Sequence, residues 1–231
     1  QRQMCIRDRR WIINLAPFGI MGLVFTNVVS NGLAIFTQYG KLLLLLVGTM
    51  LFMAFVINPI IIFIYLRCNP YPLVFRCLRE SGLTAFFTRS SAANIPVNMA
   101  MCEKLGLDKD FYSVSIPLGA TINMDGTAIY QCVATIFLAT CCGMTLTLGQ
   151  MVTIVVTATL ASIGTAGTPG AGMIMLAMVL QAMNIPVDMI MIIYGVDRLF
   201  DMGRTCLNIT GDISCALCVT KWESKKQTAV K

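Results

Sequence analysis

The sequence has no histidine, and only 12% of its 231 residues carry a charge. Soluble domains of this size usually contain about a quarter charged residues. A chain without histidine has no Ser-His-Asp triad, which removes hydrolases of that kind, and we expect no enzymatic activity. The shortage of charge, together with 57% hydrophobic residues, is typical of a membrane protein rather than of a soluble globular domain.

Long stretches of the chain lack charge altogether. Residues 42–66 contain no charged residue, and a helix over this run is long enough to cross about 30 Å of hydrocarbon. The stretch between Asp125 and Asp188 is also uncharged. Because it is longer than two membrane spans, it must contain a reversal or a break.

The net charge of +6 does not point to a nucleic-acid partner, because the basic residues lie at the ends of segments rather than on one soluble face. The positive-inside rule places such clusters in the cytoplasm. We therefore expect a multi-pass protein of the cell membrane, in a bacterial inner membrane with the lipid bilayer as partner and the C-terminus in the cytoplasm. The clusters comprise Arg7, Arg9, Arg10, Arg67, Arg76, Arg79, Lys104, Lys109, Lys221, Lys225 and Lys226.

The ends of the chain and its first apolar segments are predicted to have different roles. Residues 1–10 read as an artefact or a truncated start, and residues 11–36 as a first membrane helix. Gln38–Lys41 reads as a short loop before the second span, which has a predicted kink at Asn58-Pro59. Residues 223–231 read as a cytoplasmic tail.

Two segments are predicted to form helical hairpins that enter and leave the membrane on one side. In hairpin 1 (residues 70–104), two arms surround a polar tip at Ser90–Pro96, and basic flanks put both ends in the cytoplasm. Hairpin 2 (residues 146–182) has a Gly/Pro-rich tip at Ser162–Gly172 that cannot be a continuous helix, and it should open outward. Re-entrant segments are stable only where protein buries them or where they line a wet cavity.

Each hairpin is followed by a span with polar residues at its middle, over residues 110–140 and 185–220. Two interrupted segments in corresponding positions indicate an inverted-repeat transporter with its site near the bilayer midplane. The predicted fold class is therefore an all-α membrane protein with transmembrane helices and two oppositely oriented re-entrant hairpins.

The last span carries a polar stripe, spaced by 4, 3, 4 and 4 residues along one helical face. Charge inside a membrane is costly, so such a face normally lines a site or meets a partner. Asp201 can receive an ammonium group, Arg204 a carboxylate and Asn208 a second carboxylate, which fits aspartate or glutamate. The alternative is that internal ion pairs, such as one from Arg204 to Asp201 or Asp197, only hold helices together. The stripe consists of Asp197, Asp201, Arg204, Asn208 and Asp212.

A second polar interruption, Asn123–Thr127, predicts an unwound point in the preceding span. Freed carbonyls together with Asp125 would form an oxygen-rich site for a small hard cation, and Asp212 is a plausible partner in a second one. The two hairpin tips would supply backbone N–H groups for anionic ligand groups, and the outward tip could act as a lid.

Three strings carry a family resemblance: SIPLGATINMDGTA (115–128), ASIGTAGTPGAG (161–172) and DMGRTCLNITGD (201–212). From about Trp11 to Lys221 the chain resembles the dicarboxylate/amino acid:cation symporters, which include prokaryotic aspartate and glutamate transporters and the human excitatory amino acid transporters. The resemblance implies a C-terminal fragment that lacks about four N-terminal spans. Residues 11–36 would be a scaffold helix and residues 40–222 a transport domain. It further implies a homotrimer with an elevator motion, and Na+ as the co-transported ion, with H+ as the alternative.

The resemblance also assigns roles to individual residues. Implied substrate ligands are Ser90, Ser91, Thr127, Thr168, Gly172, Asp201, Arg204, Thr205 and Asn208. Implied sodium ligands are Gly119, Asn208 and Asp212 in one site, Thr121, Ser162, Ile163 and Thr165 in a second, and Asn123 with Asp125 in a third.

The substrate prediction depends on Arg204. Hairpin 1 reads SSAANIPVNM and looks like the bacterial serine/threonine branch of the family, although that branch is expected to lack an arginine at this position. We give Arg204 more weight than the hairpin 1 sequence, because a buried guanidinium facing a neutral substrate would be left unpaired. The sequence thus predicts a sodium-driven symporter of aspartate or glutamate. The alternatives are a symporter of serine and threonine or of C4-dicarboxylates and, from another class, an anion channel or a non-transporting membrane scaffold.

Overall fold

The computed structural model describes the backbone of residues 34–229 and the side chains of residues 40–223. The first predicted span and residues 1–10 lie outside this range, apart from residues 34–36. Within the described part the regular structure is entirely helical. The α-helices are α1 (Ala34–Phe52), α2 (Asn58–Leu66), α3 (Tyr71–Cys77), α4 (Leu83–Thr88), α5 (Ser91–Lys104), α6 (Lys109–Ile122), α7 (Asp125–Cys141), α8 (Leu148–Ser162), α9 (Ala171–Ala182) and α10 (Ile190–Ala229).

The first described segment is one long helix with a local irregularity. A π-helical turn, Met53–Ile57, joins α1 to α2 directly before Pro59, where the missing N–H interrupts the regular ladder as predicted. The predicted loop at Gln38–Lys41 is wrong, because α1 runs through it. Those four residues include no proline, and the one glycine costs a helix only about 1 kcal/mol.

Among the described residues, one helix, Gly40–Leu66, is long and apolar enough to cross a membrane by itself. The apolar helices α8 and α9 are shorter, with 15 and 12 residues. Neither would span about 30 Å of hydrocarbon alone, since a span needs about 20 residues.

Hairpin 1 has a tighter tip than the sequence suggested. Its first arm is α3, a π-helical turn (Leu78–Gly82) and α4. Arg89 then adopts a left-handed conformation with φ of 54°, Ser90 is extended, and α5 begins at Ser91. The prediction of a non-helical tip as far as Pro96 is wrong, because Pro96 lies inside α5.

The predicted break in the next span is confirmed, and it is short. α6 ends at Ile122, Asn123 and Met124 are non-helical, and α7 restarts at Asp125. In hairpin 2, arms α8 and α9 flank an irregular tip that includes left-handed glycines at Gly164 and Gly170.

α10 is the central helix of the described part and packs against arms of hairpin 1, both halves of the interrupted span and α1–α2. It continues to Ala229, past the predicted end of the last span. Large apolar side chains also cover the outside of the molecule: Leu44, Phe87 and Leu148 are at least 70% exposed. An apolar exterior of this kind suits hydrocarbon or a further apolar segment rather than water.

Candidate substrate and cation site

The polar stripe of α10 is turned toward the interior. Each of its five members is at most 7% exposed, and Arg204 is among the largest fully buried side chains of the described part. Buried charge is stable only when it is paired or hydrogen-bonded. The partners of the stripe therefore determine what the site can bind.

Arg204 is paired with carboxylates of its own helix. Its Nε donates to Asp201 Oδ1 at 3.0 Å, and its Nη2 lies 3.0 Å from the same oxygen and 3.6 Å from Asp197 Oδ1. The guanidinium carbon lies 4.4 Å from the centre of the Tyr130 ring, a cation–π arrangement. Its positive charge is thus already compensated, while the buried Nη1 has no hydrogen-bond partner.

The two hairpin tips meet above this stripe. The Gly167 carbonyl accepts hydrogen bonds from the Ser90 hydroxyl at 2.8 Å and from the Ala92 N–H at 3.0 Å. A Cβ on Gly167 would lie 2.9 Å from the Ala92 nitrogen, so only glycine allows this approach. Gly170 N–H donates to Asp201 Oδ2 at 3.2 Å, which ties the tip of hairpin 2 to α10.

A small cavity lies between the tips and the stripe, with a volume of about 20 Å³. This is room for about one water molecule. Binding of an amino acid therefore requires the tips to separate. The lining residues are Arg89, Ser91, Met124, Thr127, Thr165, Ala166, Gly167, Thr168, Gly172, Asp201, Arg204, Thr205 and Asn208.

All the predicted substrate residues except Ser90 line this cavity, and Ser90 instead caps α5 by accepting from Ala93 N–H at 3.1 Å. The sequence-based prediction missed Arg89, Met124 and Tyr130. Arg89 and Met124 directly adjoin predicted motifs, and Tyr130 lies three residues after Thr127, on the same side of α7. Their position next to these motifs is the sequence signal that could have identified them.

The Asn208 side chain is fully engaged within the protein. Its amide donates to Met124 Sδ and to Thr127 Oγ1, both at 3.1 Å, and its oxygen accepts from Gly126 N–H at 2.8 Å. It is therefore a rigid part of the wall, and the predicted hydrogen bond to a substrate carboxylate would require one of these partners to be exchanged. Thr205 similarly donates to the Asp201 carbonyl at 2.7 Å.

Part of the predicted cation-binding set converges below the cavity. Asn123 Nδ2 donates to Asp212 Oδ1 at 3.0 Å and to the Asn208 carbonyl at 3.4 Å, so both oxygens face one point. A Cβ on Gly119 would lie 2.7 Å from Asp212 Oδ1. The other carboxylate oxygen, Asp212 Oδ2, is buried without a hydrogen-bond partner.

The remaining predicted cation ligands lie where the break meets hairpin 2. Gly164 N–H donates to the Thr121 carbonyl at 3.1 Å, which brings the two segments together. The hydroxyls of Thr121, Ser162 and Thr165 are bonded to carbonyls of their own segments. Ile163 closes the end of α8, and Asp125 Oδ1 accepts from Gly126 N–H at 2.9 Å.

Among the described residues, no group of three Cys, Asp or Glu side chains could hold a metal ion. A cation at either place would depend on oxygen ligands, namely backbone carbonyls, amide oxygens, hydroxyls and a single carboxylate such as Asp212. Such ligands suit a hard monovalent ion that must be released again better than a tightly held transition metal.

Residues 2–222 match the sequence profile of the sodium:dicarboxylate symporter family. The chain belongs to this family. Its helical fold, without strands in the described range, agrees with that membership, and the family's description names sodium, in agreement with the predicted co-transported ion. The family is one of transporters, and membership agrees with the prediction of a multi-pass membrane protein.

Curated members of the sodium:dicarboxylate symporter family with high similarity are named serine/threonine transporters. The protein from Bifidobacterium adolescentis is 56% identical over 211 residues, which is 90% of this chain and 49% of that protein. The protein from Streptococcus agalactiae serotype III is 51% identical over 208 residues, or 88% of this chain and 52% of its own length. The Streptococcus thermophilus LMG 18311 protein is 47% identical over 221 residues, which is 94% of this chain and 55% of that protein.

The chain thus spans about half the length of these curated relatives. Their names favour the alternative prediction, a carrier of neutral amino acids, over the first prediction of aspartate or glutamate. The physical reason lies in Arg204. The argument for an acidic substrate assumed an unpaired guanidinium, whereas the structure pairs it with Asp197 and Asp201.

Proposed function

We propose that the full-length protein is a sodium-coupled symporter of small neutral amino acids, with serine and threonine as substrates. The observation that carries this proposal is the pairing of Arg204 with two carboxylates of its own helix. Because the guanidinium is compensated, a substrate needs no side-chain charge. The serine/threonine transporters that are 47% to 56% identical support the same substrate class.

The site offers complementary groups for an amino acid zwitterion. Asp201 would receive the ammonium group in place of the Gly170 N–H that it now accepts. The α-carboxylate would lie at the N-terminus of α5, beside Ser91, where backbone N–H groups and the helix dipole favour an anion. The substrate hydroxyl would accept from Arg204 Nη1, the buried donor without a partner.

Sodium would bind below and beside the cavity, and the transport cycle would follow the family. We assign the first site to the Gly119 and Asn208 carbonyls with Asp212, a second to Thr121 with Ser162, Ile163 and Thr165, and a third to Asn123 with Asp125. Support comes from the convergence of Asn123, Asn208 and Asp212 on one point. Residues 40–222 would form the transport domain of an elevator-type homotrimer, with residues 70–104 and 146–182 as its re-entrant hairpins and the C-terminus in the cytoplasm.

Uptake of radiolabelled serine by the full-length protein in proteoliposomes tests this proposal. We expect uptake that requires an inward sodium gradient, that threonine inhibits and that aspartate inhibits at least tenfold less well. Uptake that is indifferent to sodium would remove the coupling. Aspartate competing better than serine would remove the neutral substrate class.

A symporter of aspartate or glutamate is the second candidate. The observation in its favour is again Arg204 Nη1, since a buried donor without a partner can also donate to a side-chain carboxylate. The same competition experiment separates the two candidates.

A further inference from the structure

Tyr130 connects hairpin 2 to the arginine of the site. Its side chain is fully buried, its ring lies against the Arg204 guanidinium, and its hydroxyl donates to Met173 Sδ at 3.1 Å. Asp197 faces the same hydroxyl from α10. Met173 is the third residue of α9 and follows Gly172, which lines the cavity. A residue of the hairpin is thereby in contact with the ring that orients Arg204.

Arg204 is confined by neighbours on three sides. The Tyr130 ring covers one face, and Asp201 and Asp197 hold its Nε and Nη2 edge. On the hairpin side, a Cβ built on Gly172 would lie 2.3 Å from Nη1. The guanidinium can turn toward a substrate carboxylate only if this arrangement is released.

We propose that Met173 is a specificity-determining residue that acts through Tyr130, and this rests on the proposed function. By engaging the Tyr130 hydroxyl, Met173 keeps the ring over Arg204 and keeps the guanidinium paired with α10. A neutral side chain fits beside a guanidinium in this position. A carboxylate side chain would draw Arg204 away from the ring and from its carboxylates, and the site discriminates against acidic substrates for this reason.

The contact also makes the discrimination depend on the position of hairpin 2. The tips must separate to admit a substrate, because the cavity of about 20 Å³ is smaller than any amino acid. The bond between Met173 and Tyr130 forms when hairpin 2 returns to its place on α7. A substrate that displaces Arg204 and the ring opposes that return.

The experiment uses the full-length protein in proteoliposomes and measures how well aspartate inhibits serine uptake. Met173→Leu keeps the side-chain volume but removes the sulfur acceptor, and Tyr130→Phe keeps the ring but removes the donor. We expect each variant to lower the aspartate inhibition constant, relative to the serine KM, about three- to tenfold. In the Tyr130→Phe background, Met173→Leu should have no further effect, since both act through one contact.

Two further variants serve as rescue and control. Met173→Gln supplies an amide oxygen at a similar reach and should restore the wild-type ratio of aspartate to serine. Met178→Leu changes a methionine of the same helix that is 55% exposed and should leave the ratio unchanged.

An unchanged ratio in both Met173→Leu and Tyr130→Phe would overturn the proposal, as would effects that multiply in the double variant. Serine uptake by the wild type tests the proposed function separately. A wild type that prefers aspartate would remove the neutral substrate class, whereas a wild type that prefers serine, with variants that keep that preference, would remove only the role of Met173.

Discussion

Gly172 is the residue at which one added methyl group would do the most damage to the site. A Cβ there would lie 2.3 Å from Arg204 Nη1 and 2.6 Å from its Cζ, far inside van der Waals contact. Since Arg204 is held by Asp201 and Tyr130, it cannot move aside cheaply. We expect Gly172→Ala to lower kcat/KM for serine uptake by about tenfold or more, because overpacking typically costs about 1–3 kcal/mol.

Gly149→Ala is the matched control for that substitution. Gly149 lies in α8, and a Cβ there meets no atom within 4 Å. Alanine is the better helix former by about 1 kcal/mol, so uptake should be unchanged and the protein at least as stable. Equal serine kinetics for the Gly172→Ala variant and the wild type would show that Arg204 adapts freely.

For individual residues, the sequence predicted which side chains lie close together but not which of them form ion pairs. The spacing from Asp197 to Asp212 placed the stripe on one face, and the cost of buried charge turned it inward. The same spacing is equally compatible with an unpaired Arg204 that is available to bind a substrate carboxylate and with an Arg204 that is paired within its helix. Side-chain rotamers and the position of Tyr130 decide between these, and neither can be read from spacing.

The contact between the two tips is the feature that joins the hairpins as elements. Ser90→Ala would remove the hydroxyl bond to the Gly167 carbonyl and the cap on Ala93 N–H at the start of α5. We expect a loss of about 1–2 kcal/mol of stability, measured by thermal unfolding of the full-length protein in detergent. Ser113→Ala is the control, because that exposed hydroxyl bonds only to the Asp110 carbonyl of its own helix. Equal losses for the two variants would contradict a stabilising role for the tip contact.

Element positions were easier to predict than their ends. The break at Asn123-Met124 and the irregular tip of hairpin 2 are where the sequence placed them, because glycine, proline and clustered polar residues disfavour a helix locally. Pro96 misled the prediction for hairpin 1. It lies in the second turn of α5, where tertiary packing compensates for one lost backbone hydrogen bond.

At the scale of the whole molecule, the described part has an apolar exterior with few charged residues. Leu44, Phe87 and Leu148 are largely exposed, whereas most of the described basic residues lie between the end of α2 and the start of α6. The loop between α7 and α8 has no charged residue. The positive-inside rule therefore predicts that the Arg67 end lies in the cytoplasm and the loop at residues 142–147 outside.

Cysteine labelling can test that orientation directly. Cys68 is exposed beside Arg67, and Thr145 is exposed in the uncharged loop. We expect a membrane-impermeant maleimide to modify Cys68 only in inside-out vesicles, and the substituted residue in Thr145→Cys only in right-side-out vesicles, with each site followed by peptide mass spectrometry. Lys221 would then lie on the side of Cys68. Labelling of both sites from the same side would mean that hairpin 2 does not open opposite to hairpin 1, and the inverted arrangement of the two hairpins would be wrong.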